Sequence, residues 1–303
     1  MSKPKLICVI GPTAVGKTVI AIKIARAFKT EIISADSRQF YQELEIGTAK
    51  PSSEEQSLAK HHFVNNLSIH DPYSVGQYEK EAIRKLDHLF AKFGIAVLVG
   101  GSGLFVDAVC NGLDEFPEIN EEIRTDLIDE LESKGLHSLQ EELRDADVEY
   151  YDLVDLNNPQ RVVRALEVIR ATGKTFTELR KRNPKERNFD VIKIGLTMER
   201  TKLYERIDTR MDQMIDKGLF DEVESLKAFK NLNALQTVGY KEVFGYLSQE
   251  YDKEEAIRLL KRNSRRYAKR QLTWFKRDEN TLWFQPNELE EIIKTVEENT
   301  KTA

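Results

Sequence analysis

The stretch "LICVIGPTAVGKTVIAIKIARAF", residues 6–28, decides how the rest of the chain is read. Its apolar run Leu6–Ile10 predicts a buried strand. Gly11 and Gly16 bound a loop, and the apolar positions after it recur at helical spacing, predicting a helix over 17–29. A strand, a glycine-bounded loop and a helix in that order form a phosphate cradle. Gly11 and Gly16 adopt backbone angles that turn successive N–H groups inward, and the helix brings its positive end to the same point. Lys17 adds a point charge, and Thr18 can offer its hydroxyl to Mg²⁺. The alternative is a chance match in an ordinary βα turn.

Two further strands are expected, "EIISADS" (31–37) and "GIAVLVGGSG" (94–103), the latter leading into the apolar helix "LFVDAVCNGL". Strands alternating with helices predict an α/β fold, a doubly wound parallel sheet with ligands at the carboxyl ends of its strands. Near Phe116 the text turns helical: "INEEIRTDLIDELESKG" spaces Ile123, Leu127 and Leu131 by four and stops at Gly135. Helical text continues to Leu179, and the polar breaker "RKRNPKERN" precedes "DVIKIGLTM" (190–198), which resumes strand character. The expected organisation is a core of residues 1–115 and 190–303, with a helical insertion over 116–189 and a C-terminal helical region. The last residues, "VEENTKTA", are expected to fray.

The 303 residues carry a net charge of −5, with 40% hydrophobic and 32% charged content, an ordinary globular balance. No apolar stretch approaches the ~20 residues of a membrane span, and "MSKPK" has no signal-peptide pattern, so a cytoplasmic protein with no membrane partner is expected. Cys8 and Cys110, each among apolar residues, read as buried thiols. His61 and His62 have no metal-ligand partner at useful spacing. The net charge conceals a split: Phe116–Asp155 holds 14 acidic residues against three basic, while Ala256–Arg277 holds nine basic and no acidic ones. Tyr267, Trp274 and Phe275 interleave with those charges, which suits RNA phosphates and bases, although a charged helix can equally be a solvated face.

Nucleoside triphosphatases need a strand ending in an acidic residue to hold Mg²⁺. Here the third strand ends "LVGGSG", without a carboxylate. The second ends "SADSRQ", with Asp36 between the hydroxyls of Ser34 and Ser37. Asp36 can be a metal-binding acid, a general base, or a turn and cap residue.

With these residues in view, the chain resembles the bacterial tRNA dimethylallyltransferases. The segments "GPTAVGKT", "ISADSRQFYQELEIGTAKP", "VGGSGLF", "NPQRVVRALEV", "GLFDEV", "TVGYKE" and "RRYAKRQLTWF" occur in that family's order, from about residue 5 to 277. The resemblance implies transfer of a dimethylallyl group from dimethylallyl diphosphate to N6 of the adenine just 3′ of the anticodon in tRNA, by a monomer using Mg²⁺. The loop residues Gly11, Pro12, Thr13, Ala14, Val15, Gly16, Lys17 and Thr18 would then hold a diphosphate, aided by Arg210, which on spacing alone reads as a solvated helix charge. Asp36 would be the general base, with Lys17, Ser102 and Arg210 beside it. Asp36, Ser37, Arg38, Gln39, Ser102, Arg124, the run Gln160, Arg161, Val162, Val163, Arg164, and the basic-helix pair Arg265 and Arg266 would meet the tRNA. Val162, Val163, Leu166 and Ile169 also carry core spacing. Ser102 stands where the family usually has Thr, Phe40 where a smaller aliphatic is commoner, and the zinc-finger extension of eukaryotic relatives is absent. Competing readings are a P-loop kinase of a nucleotide or small metabolite and a non-catalytic RNA-binding adaptor.

Overall fold

The structure, a computed structural model, describes residues 3–114, 116–117, 119–181 and 183–301; Glu118 of the acidic run and Arg182 of the breaker lie outside them. The chain divides into two compact units, residues 1–111 with 186–303, and residues 112–185.

In the larger unit, β1 (Lys5–Ile10) leads to α1 (Lys17–Ala27), β2 (Ile32–Ser34), α2 (Ser53–Leu58), β3 (His61–His62), α3 (Val75–Phe93), β4 (Ile95–Gly100) and α4 (Gly103–Asn111). The smaller unit holds α5 (Glu121–Lys134), α6 (Leu136–Ala146), α7 (Val148–Leu153), α8 (Pro159–Thr172) and α9 (Phe176–Leu179). The chain then returns through β5 (Asp190–Leu196), α10 (Arg200–Asp216), α11 (Leu219–Ser225), α12 (Tyr240–Leu247), α13 (Lys253–Phe275), β6 (Leu282–Phe284) and α14 (Leu289–Lys301). The six strands lie in the order β3-β2-β4-β1-β5-β6, every pair parallel. The sheet is the doubly wound one expected.

Its two faces follow from period-two alternation of strand side chains. Leu6, Cys8, Ile10, Ala96 and Leu98 join one core with residues of α3, α4, α12 and α13. Ile7, Val9, Ile95, Val97, Val99 and Ile194 join the other with residues of α1 and α14. Cys8 and Cys110 are free and buried, their sulfurs 3.5 Å apart. In the smaller unit, Leu127 is buried with Leu139, Leu143 and Leu166, and Ile123 and Leu131 pack around them.

The return to the larger unit comes at Glu186, before the strand-like text at 190. Arg187 makes the join, donating to the Ala108 and Val109 carbonyls at 2.6 and 3.0 Å and pairing with Glu79 at 2.7 Å. Two strands escaped the sequence reading: β3 and β6 are two and three residues long and lie at the sheet edges. His62 of β3 is bonded to Glu31 at 2.6 Å.

The expected fraying is overturned as far as Lys301, where α14 ends; Thr302 and Ala303 lie outside the described residues. Ile292 and Val296 of α14 are fully buried in the second core. Ile292→Ala should therefore lower the unfolding free energy by about 2–5 kcal/mol in urea titrations. A change within about 0.5 kcal/mol would mean that the terminal helix is only loosely attached.

Candidate active site

The phosphate loop begins where β1 ends. Gly11 has φ +145°, and a Cβ there would lie 2.6 Å from the Leu196 carbonyl oxygen of β5, so only glycine fits. Gly16, with φ +107°, caps α1 and starts it at Lys17. The loop opens on a cleft of about 780 Å³, lined by Thr13, Lys17, Thr18, Asp36, Arg206 and Arg210 among others. A smaller branch of about 80 Å³ shares Thr13, Ala14, Asp36, Thr48, Arg210 and Tyr267 with it.

Not every loop amide faces the cleft. The Thr13 N–H donates to Gln271 Oε1 at 2.8 Å, so the cradle open to an anion begins at Ala14. Gln271 is 5% exposed, and its Nε2 donates to the Gly101 carbonyl at 2.9 Å. This explains "LVGGSG". A Cβ on Gly101 would lie 2.3 Å from Gln271 Nε2, and one on Gly103 would lie 2.3 Å from the Trp274 ring. The strand end where a triphosphatase carries its acid is instead covered by α13.

Lys17 donates to the Pro12 carbonyl at 2.8 Å. Burial pushes its ammonium down to about 8, with Arg210 adding and Asp36 opposing. Arg210, read from spacing as a solvated charge, is instead half-buried in the cleft wall. Burial lowers its pKa, against the raising influence of Asp36 and Glu55. Both cations are thus held with less water than they would have in solution, which favours an anionic ligand.

Asp36 combines two of its readings. Its Oδ1 accepts the Arg38 N–H at 3.2 Å, as a turn residue's carboxylate does, yet the side chain lines both branches of the cleft. Ser102 accepts the Ser37 N–H at 3.1 Å and lies 3.2 Å from the Ser37 hydroxyl, tying the end of β4 to the turn that carries Asp36. Gln39 and Arg38 line the two branches of the cleft and also bond to backbone carbonyls. Gln39 reaches the Thr48 and Ala49 carbonyls at 3.4 Å, and Arg38 reaches the Asn233 carbonyl at 2.9 Å.

Three contributors differ from the sequence reading: Glu222 and Gln271 are not singled out there, and Tyr267 is read there as an aromatic suited to RNA. Glu222, from "GLFDEV", accepts the N–H groups of Glu45, Ile46 and Gly47 at 3.1, 2.7 and 3.1 Å and the Tyr240 hydroxyl at 2.6 Å. It fixes the loop that brings Thr48 and Ala49 to the cleft. Tyr267 lines both branches, its hydroxyl pushed up to about 12 by burial and then by the Asp36 charge. Gln271 is the third. Tyr267, Gln271 and Trp274 stand at i, i+4 and i+7, a spacing that could have revealed the inward face of α13.

The outward face carries Arg266, Lys269, Arg270, Lys276 and Arg277, all exposed. Three of the other four charges are compensated from outside the acid-free stretch, and the fourth, Arg262, donates to Asn263 Oδ1 at 3.2 Å. Arg258 pairs with Glu255 at 2.6 Å, and Lys261 and Arg265 pair with Asp212 and Asp208 of α10 at 2.6 Å. In the smaller unit, Arg124 and Arg164 share the buried Glu167 carboxylate at 2.7 and 3.0 Å, leaving their side chains about half exposed. Gln160 and Arg161 are exposed on the first turn of α8. Val162 and Val163 are buried in that unit's core, which leaves their side chains no place at an RNA surface.

Among the described residues, no group of three or more His, Cys, Asp or Glu side chains could hold a metal ion. The Thr18 hydroxyl at the phosphate loop fits a different arrangement, a hydrated Mg²⁺ carried largely by a ligand's phosphate oxygens.

Fold and site together define an α/β phosphate-loop protein with a two-branched cleft lined by Lys17, Asp36 and Arg210. The sequence profile of the IPP transferase family matches residues 39–278. The chain is 48% identical over 301 residues to tRNA dimethylallyltransferase 1 of Bacteroides fragilis, covering 99% of this chain and all of that one. It is 51% identical to the tRNA dimethylallyltransferase of Christiangramia forsetii, covering 93% and 94% of the two chains. Its structure matches that of the tRNA isopentenylpyrophosphate transferase from Bacillus halodurans with a TM-score of 0.73 at 37% identity, over 99% of both chains. It also matches a eukaryotic dimethylallyltransferase acting on tRNA, with a TM-score of 0.73 at 27% identity, over 90% of this chain and 70% of that one. The chain belongs to the IPP transferase family.

The depressed Lys17 gives the site a pH dependence of defined sign. The Lys17 contribution to anion affinity is present while its ammonium is charged and is lost as pH rises through about 8 and the proton leaves. The ratio of wild-type to Lys17→Met affinity for inorganic diphosphate should therefore fall as pH rises through about 8, measured by calorimetry. A ratio constant from pH 7 to 9 would contradict the buried-ammonium assignment.

Proposed function

We propose that this chain transfers the dimethylallyl group of dimethylallyl diphosphate to N6 of the adenine 3′-adjacent to the anticodon in tRNA, releasing diphosphate. The observation that carries the reading is the position of Asp36, at the junction of the two branches and on the same cleft as Lys17 and Arg210. The family relatives named for this transfer support both the tRNA acceptor and the allylic donor.

The reaction breaks an allylic C–O bond and forms a C–N bond. Its barrier comes from charge growing on the departing diphosphate and on the allyl carbon. Lys17, Arg210 and the loop amides from Ala14 onward stabilise the first charge, and they do so without reorganising. Thr18 would help hold Mg²⁺, which when bound neutralises further charge on the diphosphate.

The adenine amine is a poor nucleophile because its lone pair is delocalised into the ring. Asp36 accepts its proton as the C–N bond forms. Ser102 and Ser37 keep the Asp36 turn against the end of β4. The adenine leaves its stack to enter the cleft. Arg266, Lys269 and Arg270 of α13, together with Arg124, Gln160, Arg161 and Arg164 of the smaller unit, offer contacts to the anticodon stem-loop backbone. The protein acts as a cytoplasmic monomer on this reading.

The deciding assay is paired on one enzyme stock: mass spectrometry of tRNA incubated with dimethylallyl diphosphate and Mg²⁺, and ADP release from ATP. Diphosphate should appear one-for-one with prenylated adenine while ATP is not consumed. ADP accumulating with turnover, and the allylic donor intact, would replace the transferase with a kinase. Asp36→Asn should slow single-turnover transfer by ~10²–10⁴-fold while leaving tRNA affinity nearly intact. A rate within a few-fold of wild type would remove Asp36 from the base role.

The outward face of α13 should act through phosphates. The double change Arg266→Ala with Lys269→Ala should weaken tRNA binding and flatten its log–log salt dependence by about one unit per lost contact. Arg265→Ala should flatten it less, because Arg265 is already paired with Asp208. An unchanged slope in the double variant would make this face merely solvated.

A further inference from the structure

The smaller branch differs in chemistry from the main cleft. Its walls include Ile207, Met211 and Met214 of α10, with Leu219 and Val238 opposite. Ile207, Met211, Met214 and Leu219 belong to the buried cores. Arg38, Thr48 and Thr237 line the remainder of the branch, and two polar groups beside the apolar residues are already engaged. The Ser264 hydroxyl contacts the Met211 sulfur at 3.4 Å, and the Gly239 N–H donates to Glu242 at 2.8 Å. That wall therefore presents mainly carbon and sulfur, which suits a chain without hydrogen-bonding groups.

Arg210 and Asp36 line both branches. A ligand whose diphosphate lies on Lys17 and Arg210 directs its ester carbon past Asp36, and the rest of its chain finds the apolar wall. A tRNA adenine remains tethered to its backbone and needs the wider, polar cleft. The branch is small, about 80 Å³, and two of its wall residues are methionines one turn apart on α10. Methionine is unbranched and fills irregular space, so its thioether can gauge the length of a neighbouring chain.

Resting on the transferase reading above, we propose that Met211 and Met214 set the chain length of the allylic donor, closing the branch behind five carbons. Shortening either side chain opens the branch to a longer prenyl group, and enlarging Val238, which is only partly buried, closes it to the short one.

The test is donor competition on the full-length protein with tRNA, using dimethylallyl diphosphate and its ten-carbon homologue, geranyl diphosphate. In Met214→Ala, and separately in Met211→Ala, the geranyl-to-dimethylallyl ratio of kcat/KM should rise by about tenfold or more, the scale of one or two methylenes in an apolar pocket. Val238→Phe should weaken binding of a non-hydrolysable dimethylallyl diphosphate analogue far more than binding of inorganic diphosphate. That second variant keeps the proposal testable if the methionine changes prevent folding. Ratios equal to wild type in folded methionine variants, or parallel loss of both ligands in Val238→Phe, would overturn the proposal. Failure of the transferase reading is distinct, because the wild-type protein itself would then transfer neither donor.

Discussion

One buried amide joins the parts of this protein that must act together. Gln271 accepts the Thr13 N–H of the phosphate loop and donates to the Gly101 carbonyl at the end of β4, at 2.8 and 2.9 Å. Each bond contributes only about 0.5–1.5 kcal/mol net, whereas leaving a buried backbone group unpaired costs about 1–3 kcal/mol. The amide therefore matters more for position than for stability. It draws α13 over the strand end, and the two glycines beneath it, Gly101 and Gly103, exist to admit that contact. Ser102, held between them, reaches Ser37, and the Asp36 turn follows.

The electrostatics of the cleft express the same constraint. Lys17 and Arg210 are half-buried under the influence of one carboxylate, Asp36, and desolvation lowers both of their pKa values. Taking two cations partly out of water around one acid is unfavourable until an anion arrives. The fold holds them by packing and by carbonyl contacts, Pro12 for Lys17 and Ala49 for Arg210 at 2.8 and 3.4 Å. The loop bearing Ala49 is in turn fixed by the Glu222 carboxylate. Preorganisation of this kind is what stabilises a leaving diphosphate without rearrangement at the moment of reaction.

What the sequence made legible was local. The phosphate loop, the four strands between the sheet edges, the Gly135 helix stop and the inserted helices all follow from period, glycine placement and composition. β3 and β6 were illegible because two or three residues at a sheet edge carry no period. Glu222 and Gln271 were illegible for another reason: each acts on backbone far away in sequence, 175 and 258 residues for the Gly47 and Thr13 contacts. A carboxylate or amide placed to serve a distant main chain leaves no local pattern. The acid-free run of α13 misled in the same way, since Asp208 and Asp212, which neutralise Arg265 and Lys261, belong to α10. Val162 and Val163 show the converse. Their core spacing was readable, and the fold follows it in preference to the RNA contact implied by resemblance.

The two faces of α13 differ in kind. Its inward face sets the polar Ser264 and Gln271 among the buried apolar Ala256, Leu260, Ala268 and Phe275, and buried polar groups are tolerated only when each finds a partner. Ser264 contacts the Met211 sulfur, Gln271 spends its amide on two backbones, and Trp274 donates to Asp107 at 2.8 Å. These partners are specific, so sliding the helix by one turn would break all of them at once. A 23-residue helix, roughly 35 Å long, is thereby locked in register against the sheet. The exposed Arg266, Lys269 and Arg270 on its other face then stand at a fixed offset from the phosphate loop. A surface that meets phosphates is by itself indifferent to register along them. Register has to come from the protein, and here it comes from the buried side of the helix that carries the charges.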